Sequence, residues 1–220
     1  MRRLLDRKET EGNMLYKNCI AEWRPVLDQN REDRLIKKGA AIFTEGEPVS
    51  GVFFIAKGKV KIHQNWGSEK ELILRFANSG DMLGYRGLGK EKIYPVTATS
   101  LEETSVFYLN MSVFEASLRV NPQLTYTLMD FYAHELEETE KRMRHIAHME
   151  VKGRMVEALL LLQSKFGLNE RGYIDIRLTK QDIASYVGAT YETVSRMTAE
   201  LQEQGIIASN GKEFRLLAEF

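Results

Sequence analysis

The sequence has little cysteine and no long apolar run: Cys19 is its single cysteine, and only four of its 220 residues are proline. One cysteine excludes a disulfide framework, and it excludes an iron–sulfur cluster held by the cysteines of one chain. No apolar stretch reaches the roughly 18 residues that a membrane-spanning helix needs, and the charged N-terminus lacks a hydrophobic signal core. We therefore expect a cytoplasmic protein without a membrane partner.

An excess of positive charge is also missing, because 31 lysines and arginines balance 31 aspartates and glutamates. Acidic side chains even outnumber basic ones in the last forty residues, whereas proteins that bind nucleic acid often have a basic excess. Contact with phosphate would therefore depend on the local placement of a few cations, of which Lys180, Arg196 and Lys212 are the candidates.

Sequence motifs of the common enzyme classes are absent as well. The chain has no phosphate-binding loop and no nucleophile elbow, and His134 is followed by ELEE rather than by the pattern of a zinc protease. We expect no catalytic residues and no bound metal or cofactor. For His63, His145 and His148, a metal or haem role is the alternative to local hydrogen bonding. For Cys19, a redox-sensitive thiol is the alternative to a small buried side chain.

What the sequence does contain is a pair of short helical patterns around a glycine, in TKQDIASYVGATYETVSRMTAELQEQGII. Thr179 and Asp182 have the spacing of a capping box, Gly188 predicts the end of the first helix, and Thr190 predicts the N-cap of the second. Two helices joined this closely cross at a steep angle. The pattern is typical of a helix-turn-helix.

The second helix of this pair has an apolar face and a polar face. Its apolar residues recur at spacings of three and four and are expected to be buried, which leaves Glu192, Ser195 and Arg196 outside, near the N-terminus. A helix-turn-helix places its base-reading residues there, and each of these side chains can pair with a base edge in the major groove. The alternative is a solvated face on which Glu192 and Arg196 form a surface salt bridge.

The residues after this helix predict a wing. Gly205 predicts the helix end, Asn210-Gly211 has the residues of a two-residue hairpin turn, and an alternating strand follows through Phe214. Upstream, YIDIRLT alternates as a short strand that would pair with the wing. Residues 150–220 are therefore predicted to form a winged helix-turn-helix domain.

The N-terminal half alternates short apolar runs with glycines. The runs have the length and the residue types of β-strands, and no long parallel connections separate them. They are Val52–Ile55, Val60–Ile62, Leu72–Leu74 and Val106–Leu109. We expect a closed or folded-over antiparallel sheet in a domain of residues 1–120 that begins with a helical lead, so the fold class is α+β.

A long helical pattern from about Pro122 to His148 lies between these halves, within residues 121–149. Its apolar residues form an imperfect heptad seam, made of Leu124, Leu128, Phe131, Leu136, Met143 and Ile146. One alternative is a surface helix packed on its own sheet. The length of roughly 40 Å favours a homodimer through the seam, which would set two recognition helices about 34 Å apart, as palindromic DNA requires.

This order of elements resembles the CRP/FNR family of bacterial transcription regulators across nearly the whole chain. The stretches that carry the resemblance are EGEPVSGVFFIAKGKVKI, GDMLGYRGL, VNPQL, VKGRMVEALLLL and IASYVGATYETVSRMTAELQEQGII. The resemblance implies a β-roll of the cyclic-nucleotide-binding jelly-roll type, a dimerisation helix, and a homodimer that binds double-stranded DNA and contacts RNA polymerase. The alternative function is a nucleotide- or haem-binding sensory module that acts through protein contacts.

The recognition helix is similar to that of the FNR branch. Glu192, Ser195 and Arg196 match its Glu-x-x-Ser-Arg pattern, which implies TTGAT-like half-sites in an inverted repeat. Tyr191 stands where the CRP branch has arginine. Contacts with the DNA backbone, or secondary contacts, are expected from Thr179, Lys180, Thr190, Tyr191 and Thr193.

The cyclic-nucleotide cassette of the family is degenerate here. Tyr85 follows Gly84 in place of the carboxylate for the ribose, and Tyr94 and Pro95 stand in place of the Arg-Ser pair that binds the cyclic phosphate. Burial of a phosphate without a cation costs on the order of several kcal/mol, so we do not expect cyclic AMP to bind in that mode. An unidentified small-molecule effector would use Gly84, Tyr85, Arg86, Gly87, Leu88, Thr97 and Thr139, although a salt bridge is the alternative for Arg86.

Overall fold

A computed structural model of the chain describes residues 12–67 and 70–217. They fall into two compact units. The first unit contains the residues up to Gln64 together with Leu74–Leu136, and the second contains Asn65–Ile73 together with the chain from Glu137. None of the described helices combines the length with the apolar composition that crossing a membrane requires.

The described part of the first unit, from residue 12 onward, has short helices followed by a β-roll. The lead consists of α1 (Met14–Lys17), a 3-10 turn (Ala21–Trp23) and α2 (Arg24–Asn30). The strands of the roll are β1 (Arg31–Ile36), β2 (Ala41–Phe43), β3 (Gly51–Lys57), β4 (Val60–Trp66), β5 (Lys70–Ala77), β6 (Met82–Leu83), β7 (Thr97–Ser100) and β8 (Thr104–Asn110). A second 3-10 turn, Tyr85–Leu88, separates β6 from β7. The strands predicted from the apolar runs are therefore confirmed, in β3, β4, β5 and β8.

These strands form two four-stranded sheets, with the orders β1-β8-β3-β6 and β2-β7-β4-β5. The pairing of β3 with β8 is antiparallel and sets Phe54 opposite Phe107. Close approach of the two backbones requires glycine at position 51, because a Cβ atom there would lie 2.2 Å from the carbonyl oxygen of Leu109. The expected antiparallel β-roll is confirmed.

Strand β3 is buried on both faces and divides the core of the first unit in two. Because successive side chains of a strand point to opposite faces, Val52 and Phe54 join one apolar cluster, while Phe53 and Ile55 join the other. A continuous apolar run is the sequence pattern that such a strand requires.

The long helix is α4, Pro122–His148, and it follows α3, Met111–Val120. Leu124 and Leu128 of α4 are buried in the apolar cluster that contains Phe54, and Phe131 packs against the same cluster. The prediction that Leu124 and Leu128 belong to a dimer seam is therefore wrong, because both side chains are buried in the core of their own chain. Phe131 is half-buried, and its part in a dimer seam stays a prediction. Leu136, Met143 and Ile146 of the predicted seam are exposed.

After α4, the described part of the second unit, up to residue 217, contains three helices and a two-stranded wing. They are α5 (Val151–Phe166), α6 (Lys180–Val187), α7 (Tyr191–Glu203), β9 (Ile207–Asn210) and β10 (Glu213–Leu216). Asn210 pairs with Glu213, so the turn consists of Gly211 and Lys212, one residue later than predicted.

The segment YIDIRLT contributes alternating buried side chains to the second unit without forming a regular strand. Ile174, Ile176 and Leu178 are buried. The backbone N–H of Ile174 donates to Phe214 at 2.9 Å, and that of Leu178 donates to Lys212 at 2.9 Å. The predicted association with the wing is thus present at these two positions.

Candidate nucleic-acid interface

The first helix of the predicted pair, α6, is fixed at both ends by local interactions. The backbone N–H of Asp182 donates to the Thr179 hydroxyl at 3.0 Å, and that of Thr179 donates to the Asp182 carboxylate at 2.8 Å. The helix ends at Gly188, whose φ of +67° lies in the left-handed region that favours glycine. The predicted capping box and helix stop are confirmed.

The recognition helix α7 begins just after this turn. Thr190 is its N-cap and accepts a hydrogen bond from the backbone N–H of Thr193 at 3.2 Å. Val194, Thr198 and Leu201 are buried on its inner side. The spacing of three and four between buried residues turns the opposite face of the first two turns outward.

Glu192, Ser195 and Arg196 lie on α7 as the sequence predicts. Glu192 and Arg196 are exposed, and Ser195 is half-buried. The Nζ of Lys180, at the start of α6, donates to the Ser195 hydroxyl at 3.2 Å, a contact that the spacing in the sequence does not predict. The described part of the chain contains no salt bridge between Glu192 and Arg196, so a carboxylate and a guanidinium are both presented outward.

The five backbone-contact candidates have different environments. The hydroxyls of Thr179 and Thr190 serve as helix caps, and the Thr193 hydroxyl lies 3.1 Å from that of Thr190. Tyr191 is exposed. Lys180 is half-buried beside Ser195, which places its ammonium group at the same face as the base-reading candidates.

Acidic side chains of this unit are partly neutralised by pairing. Lys152 lies 2.8 Å from Glu200, and the hydrogen bond and charge of Lys152 hold the pKa of the Glu200 carboxyl below its ordinary value. Arg171 pairs with Glu213, which is buried. Lys212 is exposed at the tip of the wing. The acidic excess of the last forty residues is thus reduced by cations from outside that segment.

The candidate effector residues of the roll are brought together only in part. Gly84, Tyr85, Arg86 and Gly87 line one cavity, which Phe43, Ile62, Leu83, Tyr94, Pro95 and Val96 complete. Leu88 instead packs against the core cluster of Phe54. Thr97 is buried and accepts a hydrogen bond from the backbone N–H of Glu45 at 3.0 Å. Thr139 lies on the exposed surface of α4.

The cavity has a volume of about 10 Å³, about the minimum that holds one water molecule. Tyr94 fills the adjoining space: its ring stacks on Phe43 with 4.2 Å between centroids, and its hydroxyl donates to the carbonyl oxygen of Gly51 at 2.8 Å. Gly84, with a φ of +80°, allows the close fit, because a Cβ atom there would lie 3.1 Å from the Gly51 carbonyl oxygen.

Sequence reasoning missed two residues beside this cavity, Arg75 and Glu135. Arg75 donates to Glu135 at 2.6 Å, and Tyr85 and Arg86 also donate to the Glu135 carboxylate. Arg86 therefore takes part in a salt bridge. Sixty residues separate Arg75 from Glu135, so no local pattern in the sequence could have indicated the contact.

The remaining candidates are the histidines and the cysteine for which the sequence left a metal or redox role open. His63 is buried, and its Nε2 lies 2.9 Å from the Thr99 hydroxyl. His145 and His148 lie in the last turn of α4. Cys19 is buried in the core, where burial raises the pKa of its thiol; a raised pKa disfavours the reactive thiolate.

Two family models match the chain: a cyclic nucleotide-binding domain over residues 33–121 and a Crp-like helix-turn-helix domain over residues 153–219. The cAMP-activated global transcriptional regulator CRP of Salmonella typhimurium is 30% identical over 178 residues, which are 79% of this chain and 83% of that protein. The transcriptional activator protein FnrA of Stutzerimonas stutzeri is 28% identical over 191 residues, which are 85% of this chain and 77% of that protein.

Solved structures of similar fold include a c-di-GMP-responsive global regulator, CLP of Xanthomonas campestris, with a TM-score of 0.78, 21% identity, and coverage of 91% of this chain and 100% of that one. FixK2 of Bradyrhizobium japonicum has a TM-score of 0.75 and 25% identity, with 86% of this chain and 93% of that one covered. The matches in sequence and the helix-turn-helix geometry agree: the chain belongs to the CRP/FNR family of transcription regulators and carries a DNA-binding helix-turn-helix.

Proposed function

We propose that the protein is a homodimer that reads an inverted repeat with TTGAT-like half-sites through Glu192, Ser195 and Arg196. The observation that carries the proposal is the exposure of Glu192 and Arg196 on the first turns of α7, where a helix-turn-helix meets base edges. The Glu-x-x-Ser-Arg pattern of the FNR branch supplies the half-site.

Each of the three side chains has a distinct task in the major groove. Arg196 donates two hydrogen bonds to a guanine, and Glu192 accepts one from a cytosine amino group. Ser195 already accepts from Lys180, so its own O–H is left to donate to a base edge. Lys180, Tyr191 and Lys212 approach phosphates, and these contacts fix the register of the helix without reading sequence.

The dimer interface is a heptad seam on α4 that differs from the seam predicted from the sequence. One face of α4 is exposed along its length, and it consists of two interleaved series in which successive residues are seven apart. The series are Tyr126, Ala133, Glu140 and Ala147, and Met129, Leu136 and Met143. The second series is 65%, 59% and 64% exposed, and an apolar stripe of this period is covered when two helices pair as a coiled coil.

The effector of this regulator, if it uses the roll, is not cyclic AMP bound by the family cassette. Tyr94 and Pro95 replace the phosphate-binding pair, and the Tyr94 ring is fixed in the core by stacking and by its hydrogen bond to Gly51. A cavity of about 10 Å³ has no room for a nucleotide. At a promoter, the bound dimer contacts RNA polymerase.

The test of base reading is fluorescence anisotropy of the purified protein on a duplex with TTGAT and its inverted repeat, against a scrambled duplex, at two salt concentrations. We expect preference for the operator, and Arg196→Ala should cost about 1–3 kcal/mol on the operator alone. Arg177→Ala, an exposed arginine outside α7, is the matched control and should retain the preference.

Equal, salt-sensitive binding to both duplexes would refute the half-site, and equal loss of both affinities in Arg196→Ala would mean that Arg196 contacts only phosphate. Absence of DNA binding at low salt would instead favour a module that docks protein, because contacts with phosphates strengthen as salt is removed.

The seam is tested by Leu136→Glu, which places a charge in the middle of the apolar series Met129, Leu136 and Met143. We expect monomers by light scattering, together with loss of operator binding, because each half-site alone offers half of the contacts. His134→Glu places the same charge on an exposed position outside the stripe and should leave the dimer intact. A Leu136→Glu variant that remains dimeric would move the interface off this seam.

A further inference from the structure

The carboxylate of Glu135, on α4, lies in a polar cluster within the first unit and accepts hydrogen bonds on both oxygens. Arg75 of β5 donates from Nη1 to Oε1 at 2.6 Å. The Tyr85 hydroxyl donates to Oε2, and Arg86 donates from Nη2 to the same oxygen at 3.3 Å. A single carboxylate of the helix thus receives hydrogen bonds from two separate parts of the roll.

The cluster is charged as well as hydrogen-bonded. Burial alone would raise the pKa of the Glu135 carboxyl, but the charge of Arg75, the hydrogen bonds from Tyr85 and Arg75 and the charge of Arg86 together hold it below its ordinary value. Burial raises the pKa of Tyr85, so the hydroxyl keeps its proton and can donate. The cluster therefore joins one carboxylate to a neutral phenol and two guanidinium cations.

The two arginines offer more donors than Glu135 uses. Within the described residues, Nε and Nη2 of Arg75 and Nε of Arg86 are buried without a hydrogen-bond partner, although Nη2 of Arg75 lies 3.7 Å from the Asp81 carboxylate. Guanidinium groups that converge on one point form the usual protein receptor for a carboxylate or a phosphate. The roll thus contains an anion receptor, and its occupant is part of the chain.

Further contacts fix α4 against the same turn of the roll. The Tyr132 hydroxyl donates to the carbonyl oxygen of Tyr85 at 2.6 Å. The Tyr85 ring meets Phe131 edge to face, with 4.9 Å between centroids. Glu135 is thereby held one turn along the helix from two residues that already contact Tyr85.

We propose that Glu135 is a built-in ligand: it occupies the anion receptor of the roll and positions α4 without an external anion. This inference rests on the proposed function: the position of α4 that Glu135 fixes in the unliganded protein is the position that serves DNA binding. A small carboxylate or phosphate anion binds this receptor only by displacing Glu135.

The test removes the internal ligand and supplies an external one. Glu135→Ala leaves Arg75, Arg86 and Tyr85 in place, and sodium formate is the probe, compared with sodium chloride at equal ionic strength. We expect the midpoint of thermal unfolding to fall by about 5–15 °C in chloride and to recover in part in formate. Glu138→Ala, an exposed glutamate on the same helix, should show neither effect.

Glu135→Gln keeps the shape of the side chain and removes its charge. Its midpoint should lie between those of the wild type and of Glu135→Ala, and formate should not raise it, because the amide still fills the receptor. The proposal is supported if Glu135→Ala folds in formate but not in chloride. If Glu135→Ala folds in neither salt, Glu135→Gln decides: a midpoint of thermal unfolding equal to that of the wild type would overturn the proposal. Equal stabilisation of all variants by formate also overturns it.

Operator affinity of the same variants separates this inference from the proposed function. Glu135→Ala should bind the TTGAT operator about 5- to 150-fold more weakly and should recover affinity in formate. Formate rescue of thermal stability, in a protein whose wild type shows no operator preference, would uphold the internal ligand and refute the operator.

Discussion

The helix-turn-helix and the roll differ in how much of their family pattern they retain. On α7, Glu192, Ser195 and Arg196 keep the FNR-type pattern, and Glu192 and Arg196 are exposed. In the roll, Tyr85, Tyr94 and Pro95 stand where the resemblance implies the cyclic-nucleotide cassette, and both tyrosines are buried. The start of α7 therefore offers exposed charged side chains to a ligand, whereas the corresponding positions of the roll are packed as core.

This difference predicts different consequences of mutation in the two regions. Exposed residues near the start of α7 contribute little to folding, because they bury little surface, so their replacement should affect binding alone. Buried residues of the roll contribute packing and hydrogen bonds, so their replacement should lower stability first.

The largest expected effect is that of Tyr94→Ala, which removes a stacked ring and its hydrogen bond to Gly51 from the core. We expect a loss of about 3–5 kcal/mol in the free energy of unfolding, measured by urea denaturation. Tyr94→Phe keeps the ring and should lose about 1 kcal/mol, and Arg196→Ala should lose almost none. If Tyr94→Ala instead kept its stability and bound a nucleotide, the roll would be a ligand site and not core.

An intermediate effect is expected on acidification. Because the pKa of Glu135 is lowered in the folded protein, its contribution to stability is present above the unfolded value of about 4.3 and is lost as the pH falls through the lower folded value. Arg75, Arg86 and Tyr85 are among the groups that face its carboxylate, and Asp81 lies beside Arg75.

The measurement is the difference in unfolding free energy between the wild type and Glu135→Gln, from neutral pH to about pH 3. Taking the difference removes the contribution of the other carboxyl groups, which both proteins share. The difference should be constant near neutrality and should shrink below about pH 4. A difference that grows on acidification would contradict the lowered pKa.

The smallest effect is that of Thr179→Ala, which removes the N-cap of α6. We expect a loss of about 0.5–2 kcal/mol in unfolding free energy, and Thr179→Ser, which restores the hydroxyl, should recover most of it. Operator affinity at a temperature well below unfolding should change little, since the cap acts on folding. A large loss of affinity with normal stability would assign Thr179 a direct contact with the DNA backbone.

The helix-turn-helix could be predicted well because short-range interactions determine it. Thr179 and Asp182 are three residues apart, and Gly188 and Thr190 act on their own helix ends. The strands of the roll could be predicted for a similar reason, since a run such as Val52–Ile55 has both the length and the composition of a buried strand.

The errors arose where distant parts of the chain meet. The spacing of Leu124 and Leu128 fits a dimer heptad as well as it fits the core of the roll. Only their packing in the same cluster as Phe54 decides in favour of the core. The partners of Glu135 are distributed over β5 and the turn after β6. Packing determines which residues of distant segments meet, and the spacing of residues along one helix carries no information about that packing.

The small cavity beside Gly84 also has a kinetic consequence. With room for about one water molecule, the cavity admits a larger ligand only after Tyr94 or its neighbours move, so the opening rate of the roll limits entry. The observed rate of binding of such a ligand would then level off at high concentration instead of rising in proportion to it. In stopped-flow mixing, the plateau would report the frequency with which the roll opens in the absence of any ligand.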